Sequence, residues 1–272
     1  MRYVWLLNFL LISLTGCGGG SGGSAIPQIA GPNGPSGIQS PGGIWFGRDS
    51  ANESVVLYIA ETGMLRATLH PQGSIIPSFG GGTVSVSSNN VVTGTLEVRG
   101  DLVLPMGLRS EDLGCAISGS VQERQVLTVD VTCSDSGGVV YEEALQLMYD
   151  PNVYERDSSL DDLAGEYTLE FQPDTNSLSI AVDGTLFGTF NNGAQCLVEG
   201  SGTVIDAEYT FIEVTWTMSG CTNQIGNYEG TQMSGFALVN PAPTGRPGSY
   251  YFLLTGQSPD GLYSISVLYE RV

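Results

Sequence analysis

The chain of 272 residues contains no lysine and a single histidine, His70. Its nine basic residues are all arginines and face 28 acidic residues, which gives a formal net charge of −19. Without lysine the chain can form neither a P-loop nor a Ser–Lys dyad. Nucleic acids and anionic lipid headgroups are bound through clusters of basic residues, so this charge argues against both as partners.

Catalytic signatures are equally scarce. A Ser–His–Asp hydrolase would depend on His70, which stands in a His-Pro pair and has no credible nucleophile elbow to act with it. A zinc site of four cysteines needs close Cys-x-x-Cys pairs, and the sequence has none. The sequence therefore predicts that the chain is not an enzyme, with a hydrolase of cell-wall or glycan substrates as the least favoured alternative.

Stretches with helical periodicity are also rare, whereas strand-forming residues, 38 glycines and 13 prolines are abundant. This composition indicates an all-β chain of short strands and tight turns. With 41% hydrophobic residues, the chain can bury a core. The apolar run at residues 3–14 is shorter than the ~20 residues needed to span a bilayer.

The N-terminal residues are typical of a secretory signal peptide, since Arg2 precedes the apolar run and small residues follow it. The order Leu14-Thr15-Gly16-Cys17 closely resembles the lipobox of bacterial lipoproteins. The resemblance implies that residues 1–16 are removed and that Cys17 becomes the acylated, diacylglyceryl-linked N-terminus. Gly18 stands where an inner-membrane retention signal would have Asp, so we expect a lipid anchor in the outer membrane of a bacterial envelope, on either face.

Residues 17–42 contain Cys17 and a Gly/Ser/Pro-rich stretch that predicts a flexible tether. Beyond it, several landmarks occur twice in the same order. These are Gly43-Ile44-Trp45 and Gly165-Glu166-Tyr167; Leu57–Leu65 and Leu178–Leu186, both of the form L-x-I-A-x-x-G-x-L; the segments opened by Cys115 and Cys196; and Tyr154-Glu155-Arg156 and Tyr269-Glu270-Arg271. A period above 100 residues indicates a duplicated domain rather than a solenoid repeat.

The duplication predicts a first β domain at 43–157, a linker at 158–164 and a second β domain at 165–272. Within them we expect a hairpin around Asn89-Asn90, a strand over 209–218 and a closing strand over 262–269. The linker resembles one capped helical turn. About 110 residues with up to eight short strands suit a small up-and-down barrel, and a β-sandwich is the alternative.

The cysteines follow the duplication. If Cys17 carries lipid, four remain, and the oxidising envelope favours disulfides between them. Four cysteines allow three pairings. The repeat favours pairing within each copy at equivalent positions, which gives Cys115–Cys133 and Cys196–Cys221.

A Gly-x-Trp on the first strand together with an Arg on the last strand resembles the calycin pattern of lipocalins and avidins. The resemblance implies that the Arg packs over the aromatic ring and closes one end of the barrel. Here that predicts Trp45 with Arg156 in the first copy and Tyr167 with Arg271 in the second, where Tyr replaces the usual Trp. The chain also resembles uncharacterised envelope lipoproteins with a GxW start.

Two oxygen-rich segments, 49–53 and 174–176, are the places where calcium could bind. Neither has the EF-hand pattern, and Asp and Asn are also the usual turn residues. The sequence therefore predicts no cofactor, with calcium as the alternative. For function, we expect a lipid-anchored, non-enzymatic binding or interaction module whose partner is a small apolar ligand or an envelope protein. The alternative is a structural or assembly lipoprotein that engages another envelope protein.

Overall fold

The fold consists of two antiparallel β domains, each an eight-stranded sheet curled into a closed barrel. The computed structural model describes residues 39–70, 78–99, 113–135, 137–171, 174–191, 195–222, 229–241, 250–258 and 264–271. Both barrels belong to one compact unit. In this part of the chain no helix is long and apolar enough to cross a membrane. The all-β, two-domain prediction is therefore confirmed, and of the two architectures considered, the barrel is the one observed.

The first barrel runs through its strands in chain order, and β8 closes it against β1 over two residue pairs. Its strands are β1 (Gly43–Arg48), β2 (Ser54–Ile59), β3 (Met64–His70), β4 (Ser78–Val86), β5 (Val91–Arg99), β6 (Leu113–Gln122), β7 (Val126–Asp135) and β8 (Gly138–Tyr149). The predicted hairpin is the β4–β5 pair, whose turn contains Asn90 at φ +60°. His70 is the last residue of β3 and does not lie in a loop.

Two single-turn helices connect the barrels, α1 (Pro151–Tyr154) and α2 (Leu160–Leu163). Ser159 caps α2 by accepting a hydrogen bond from the Asp162 amide, as the sequence of the linker predicts. The second barrel follows with β9 (Gly165–Phe171), β10 (Asp174–Ile180), β11 (Thr185–Asn191), β12 (Gln195–Val204), β13 (Ile212–Ser219), β14 (Gln232–Pro241), β15 (Tyr250–Gln257) and β16 (Ser264–Arg271). Its last strand meets β9 over two residue pairs.

The turn between the second and third strands of each barrel shows the duplication directly. Gly63 and Gly184 both have φ +84°, which an L side chain rarely adopts. Each donates its amide to an alanine carbonyl three residues back and accepts from the fourth strand, Gly63 from Val84 and Gly184 from Gly202. The repeated L-x-I-A-x-x-G-x-L sequence therefore encodes one hairpin twice, and it aligns β4 with β12.

That alignment corrects two of the sequence landmarks. Cys115 lies on β6, the sixth strand of its barrel, whereas Cys196 lies on β12, the fourth strand of the other. Tyr154 ends α1, beyond the first barrel, whereas Tyr269 lies within β16. These short sequence matches do not mark equivalent positions, because two strands separate Cys115 from its proposed place in the repeat.

Each barrel is filled by side chains from the inward faces of its strands. The first core contains Trp45, Ile59, Leu65, Val92, Leu127 and Leu147, all at most 1% exposed. In the second, Trp216 lies directly against Gly256, where even a Cβ atom would come within 2.2 Å of the indole ring. Burial of these large apolar groups is the main favourable contribution to the stability of both barrels.

Candidate functional site

The aromatic residues expected to close each barrel lie where its first and last strands meet. The Trp45 indole donates a hydrogen bond to the Pro41 carbonyl at 2.9 Å. The Tyr167 hydroxyl donates to the Leu163 carbonyl, also four residues earlier, at 2.5 Å. Tyr can stand in for Trp here because each ring presents one polar hydrogen to the segment that precedes the first strand.

The residue opposite the aromatic ring differs between the barrels. In the second barrel, Tyr167 pairs with Arg271, whose guanidinium lies 6.0 Å from the ring centroid and donates to the Ala164 carbonyl at 2.5 Å. In the first barrel the same register position pairs Trp45 with Tyr149, and their ring centroids lie 5.2 Å apart. Tyr149, rather than Arg156, thus occupies the place that Arg271 holds in the second barrel.

Glycines make both closures possible. A Cβ on Gly165 would come within 2.8 Å of the Arg271 Nε atom, and one on Gly43 within 2.8 Å of the Tyr149 ring. The glycine of each Gly-x-aromatic motif therefore leaves room for the partner on the last strand.

Arg156 lies beyond α1 and lines a polar recess of about 220 Å³ together with Arg271. The other lining residues are Asp157, Ser158, Ser159, Asp162, Thr210 and Ile212. The predicted contact of Arg156 with Trp45 stays a prediction. The observed contacts of Trp45 are those with Pro41 and Tyr149.

The segment 205–211 connects β12 to β13 and joins the two barrels. The sequence predicted a strand from residue 209, but β13 begins only at Ile212. The Thr210 amide donates to the Tyr154 carbonyl at 3.0 Å, and the Ser158 amide donates to the Ala207 carbonyl at 3.0 Å. The equivalent β4–β5 turn is shorter, so this segment is an insertion specific to the second copy, and we call it the clamp.

The aromatic rings of the clamp pack between the two barrels. Tyr209 stacks on Tyr154 with a centroid distance of 4.8 Å, and Phe211 stacks on Phe236 of β14 at 4.9 Å. Phe211 also meets Tyr58 edge-on at 6.4 Å. Phe211 and Phe236 consequently belong to the same buried cluster as the core of the first barrel.

Arg66 crosses this junction as a buried cation. Its guanidinium donates to the Leu65 carbonyl at 2.7 Å and to the Ser234 carbonyl of the second barrel at 2.6 Å, and lies 5.8 Å from the centre of the Phe236 ring. Burial lowers the pKa of Arg66 to about 10, partly offset by the carboxylate of Glu213. Among the described residues, the Nε atom of Arg66 is buried and has no hydrogen-bond partner.

Arg124 forms a second set of polar contacts between the barrels. Arg124 forms an ion pair with Glu155 at 3.3 Å and donates a hydrogen bond to the Tyr209 hydroxyl. Glu155 also accepts a hydrogen bond from the Tyr149 hydroxyl at 3.1 Å. Burial, and next the Glu155 carboxylate, raise the pKa of Tyr149 well above its ordinary value. These contacts bind the linker between the barrels to both of them.

Both predicted disulfides are present. Cys115 and Cys133 face each other across β6 and β7, inside the first barrel. Cys196 on β12 is bonded to Cys221, just beyond β13. The pairing within each copy is thus confirmed, while the expectation of equivalent positions is wrong. One bridge joins the sixth and seventh strands of its barrel, whereas the other joins the fourth strand to the residues that follow the fifth.

The segments considered for calcium have other roles. Asp49 accepts a hydrogen bond from the Glu53 amide at 2.8 Å and so holds the β1–β2 turn together. Residues 174–176 begin β10 rather than form a turn, and Asn176 is buried. Among the described residues, no three His, Cys, Asp or Glu side chains come together in a way that could hold a metal ion.

Cys17 and the signal peptide lie outside the described residues. Comparison with protein-family models, with curated proteins and with solved structures finds no match to this chain. The function must therefore be inferred from the geometry of the protein itself. The contacts described above close each barrel and pack the two barrels together.

Sequence reasoning missed Tyr149 and the clamp. The alternation of strand β8 places Tyr149 on the inward face with Leu145 and Leu147, and this pattern could have identified it. The clamp gave one signal, the break in alternation near Ile212. That break marks the point where the chain leaves the junction and enters β13.

Proposed function

We propose that the chain is a lipid-anchored protein of the bacterial envelope that acts as a non-enzymatic interaction module through the outer surface of its barrels. The observation that carries the proposal is that large buried side chains occupy the interior of each barrel, among the residues whose side chains the structure describes. A barrel of eight strands has an interior just wide enough to be filled by side chains or to hold one small ligand. Here Trp45 and Trp216, both at most 3% exposed, take up much of that space.

The recesses on the protein also favour an outer-surface function. One of about 380 Å³ lies beside the strap of residues 39–41 and the β2–β3 turn, and the recess with Arg156 lies at the linker. Both are surface features at barrel ends. Neither offers the enclosed apolar lining that a carrier of small molecules needs.

The anchor rests on the lipobox-like sequence and on the disulfides. The oxidising envelope is a compartment in which bridges such as Cys115–Cys133 persist. The Gly/Ser/Pro-rich stretch after Cys17, of which residues 18–38 lie outside the described part of the chain, separates the proposed anchor from the first strand in sequence. A protein placed in this way meets other envelope proteins.

The second candidate function is carriage of a small apolar ligand, as the resemblance to calycins suggests. The contact of Arg271 with Tyr167 favours it, since this is the closure that the resemblance implies. The packing of Trp216 against Gly256 in the same barrel opposes it. A structural or assembly role is a variant of the interaction function, in which the partner is a stable component of the envelope.

Replacing Cys17 by Ala tests the anchor. In cells that make this protein, we expect the wild-type chain to incorporate labelled palmitate and to stay with the outer membrane after an alkaline wash. The Cys17→Ala variant should keep residues 1–16 and take up no label. Wild-type protein that is unlabelled and washes off the membrane would contradict the proposal.

A further inference from the structure

The outer surface of the first barrel carries a row of apolar side chains across its closing seam. The row consists of Val126, Met148, Phe46 and Val56, which are directly opposite one another on β7, β8, β1 and β2. Opposed residues in a sheet project from the same face. Phe46 is 45% exposed and Met148 is 51% exposed, so the centre of this seam row is open to solvent.

The second barrel provides an internal comparison. At the same register positions its strands carry Thr168 in place of Phe46, Glu270 in place of Met148 and Ser177 in place of Val56, while Tyr251 stands in place of Val126. The three positions at the centre and β2 end of the row are thus polar in the second barrel, so closure itself does not require an apolar seam there. The apolar character of the row therefore calls for another explanation.

The seam row is continuous with an interface that the protein already uses. Val56 is opposite Thr68, which is buried, and Arg66 on the same face of β3 donates to the Ser234 carbonyl of the second barrel. The same outer surface thus binds the second barrel at one end and is exposed at the other. Contiguous exposed apolar side chains rimmed by polar ones are a feature of interaction sites.

The size of the row limits its occupant. Phe46 and Met148 together offer roughly 200 Å² of exposed surface, taking ~150–250 Å² for one large side chain. A stable complex of two folded partners buries ~800 Å² on each side. The row is therefore suited to a short segment of chain rather than to a second folded copy.

Charge limits the occupant further. The chain has a net charge of −19, which opposes both a second copy and an anionic bilayer. The same charge attracts a segment that carries basic residues. Around the row itself the charges are mixed, since Asp150 follows β8 and the exposed Arg48 lies two residues beyond Phe46 on β1, so this attraction comes from the protein as a whole.

We propose that the seam row docks a short extended segment of another envelope protein, in which apolar side chains stand beside Lys or Arg. This inference rests on the proposed interaction function and names its surface and partner class. The apolar side chains would cover Phe46 and Met148, and the net negative charge of the whole protein would attract the basic ones.

The test is site-specific photo-crosslinking in cells that make the protein, with the full chain and a benzophenone side chain at position 46 or 148. Positions 187 and 197 are the matched controls, because Phe187 is 49% and Leu197 41% exposed on the outer surface of the second barrel. We expect at least tenfold more adduct at 46 and 148 than at the controls. The crosslinked peptide, sequenced by mass spectrometry, should carry apolar residues next to Lys or Arg.

A second variant separates docking from folding. With the probe at 148, Phe46→Ser should lower the adduct yield at least fivefold, whereas Phe187→Ser should leave it unchanged, since each removes one exposed ring. Adducts with lipid or with a second copy, equal yields at all four positions, or the absence of a discrete adduct would each overturn the inference. Adducts concentrated at 187 and 197 would do so while leaving the interaction function intact, whereas an apolar ligand inside a barrel would contradict that function itself.

Discussion

Arg66 shows how one side chain can join two domains. Its two hydrogen bonds to carbonyl oxygens and its position over Phe236 connect β3 to β14, and it is 6% exposed. A buried charge is stabilising only while its partners remain, since charge-assisted hydrogen bonds offset its desolvation.

We predict that Arg66→Ala lowers the free energy of unfolding by about 2–4 kcal/mol, because it leaves two buried carbonyls with fewer donors and removes the cation over the ring. Urea denaturation measures the change. Arg48→Ala is the control, since Arg48 also donates to a carbonyl, that of Asn52, but is exposed; its effect should stay within about 0.5 kcal/mol. Equal effects of the two substitutions would contradict the role of Arg66.

Partly buried tyrosines make stability depend on alkaline pH. Burial raises the pKa of Tyr58 to about 12, and burial with nearby carboxylates raises that of Tyr141 to about 12. The folded protein keeps these protons at a pH where the unfolded chain has lost them. The stabilisation is therefore complete below pH 10 and is lost as the pH rises toward 12. Arg66, whose pKa is lowered to about 10, acts in the opposite direction, whereas Tyr149, whose pKa is also raised, acts in the same direction as Tyr58 and Tyr141.

We predict that the free energy of unfolding falls between pH 10 and 12, and that Tyr58→Phe reduces this dependence. Urea denaturation at each pH, followed by absorbance of tyrosinate, measures both effects. Tyrosines that all ionise near pH 10 in the folded protein, with no loss of stability, would contradict the prediction.

At this scale the sequence identified the aromatic residues of both closures and the partner of one, Arg271 for Tyr167. Trp45 and Tyr167 are conspicuous because each lies two residues after a glycine at the start of a strand. Tyr149 was missed because its role depends on register between β1 and β8, which sequence spacing does not reveal. Arg156 was chosen because Tyr154-Glu155-Arg156 resembles Tyr269-Glu270-Arg271, but the first of these triplets lies outside any strand.

At the scale of elements, the β2–β3 and β10–β11 hairpins are the most faithfully repeated part of the chain. Their glycines, Gly63 and Gly184, have positive φ, and a Cβ at either would lie 2.4 Å from a carbonyl oxygen of the fourth strand of its barrel. Repetition of sequence here reflects a geometric requirement.

We predict that Gly63→Ala and Gly184→Ala each cost about 2 kcal/mol, from the disfavoured backbone conformation and the close contact. Gly114→Ala is the control, because a Cβ there meets nothing within 4 Å and the strand backbone suits an L residue. It should be neutral or slightly stabilising. Thermal unfolding compares the three variants, and a Gly114→Ala as damaging as the other two would refute the explanation.

The strands themselves were largely predictable, since the β4–β5 hairpin and the closing strand follow alternation and turn residues. The start of β13 was not. Tyr209 and Phe211 have the composition of a strand, but they are buried by tertiary contacts with Tyr154 and Phe236 instead. Strand propensity measures how well a residue suits a half-buried surface. The clamp provides such a surface although its residues are not hydrogen-bonded to a neighbouring strand as part of a sheet.

For the whole molecule, the clamp decides whether the barrels behave as one body or two. We predict that calorimetry of the wild-type chain shows one unfolding transition, because Phe211 is packed among residues of both barrels. Phe211→Ala should remove ~3–5 kcal/mol of packing and separate the transition into two. Phe187→Ala, which removes an exposed ring from the second barrel, should leave a single transition. Two transitions in the wild-type chain would contradict the coupling.

The duplication and the all-β architecture could be read from the sequence, because glycine turns and alternation are local properties. The packing of the two barrels against each other could not be read from the sequence, because it depends on the clamp, an insertion in the second copy, and on the buried Arg66 of the first. Arg66 is matched in the second barrel by Phe187, which is exposed. Two copies of one fold have thus acquired different surfaces.

Native mass spectrometry of the full chain, purified from membranes without denaturation, tests the central claim that this is a lipid-anchored interaction module with filled barrels. We predict a polypeptide of residues 17–272 that carries covalent lipid on Cys17 and two disulfides, and that binds no small molecule non-covalently. A stoichiometric apolar ligand released on unfolding, or a chain without covalent lipid, would contradict the account.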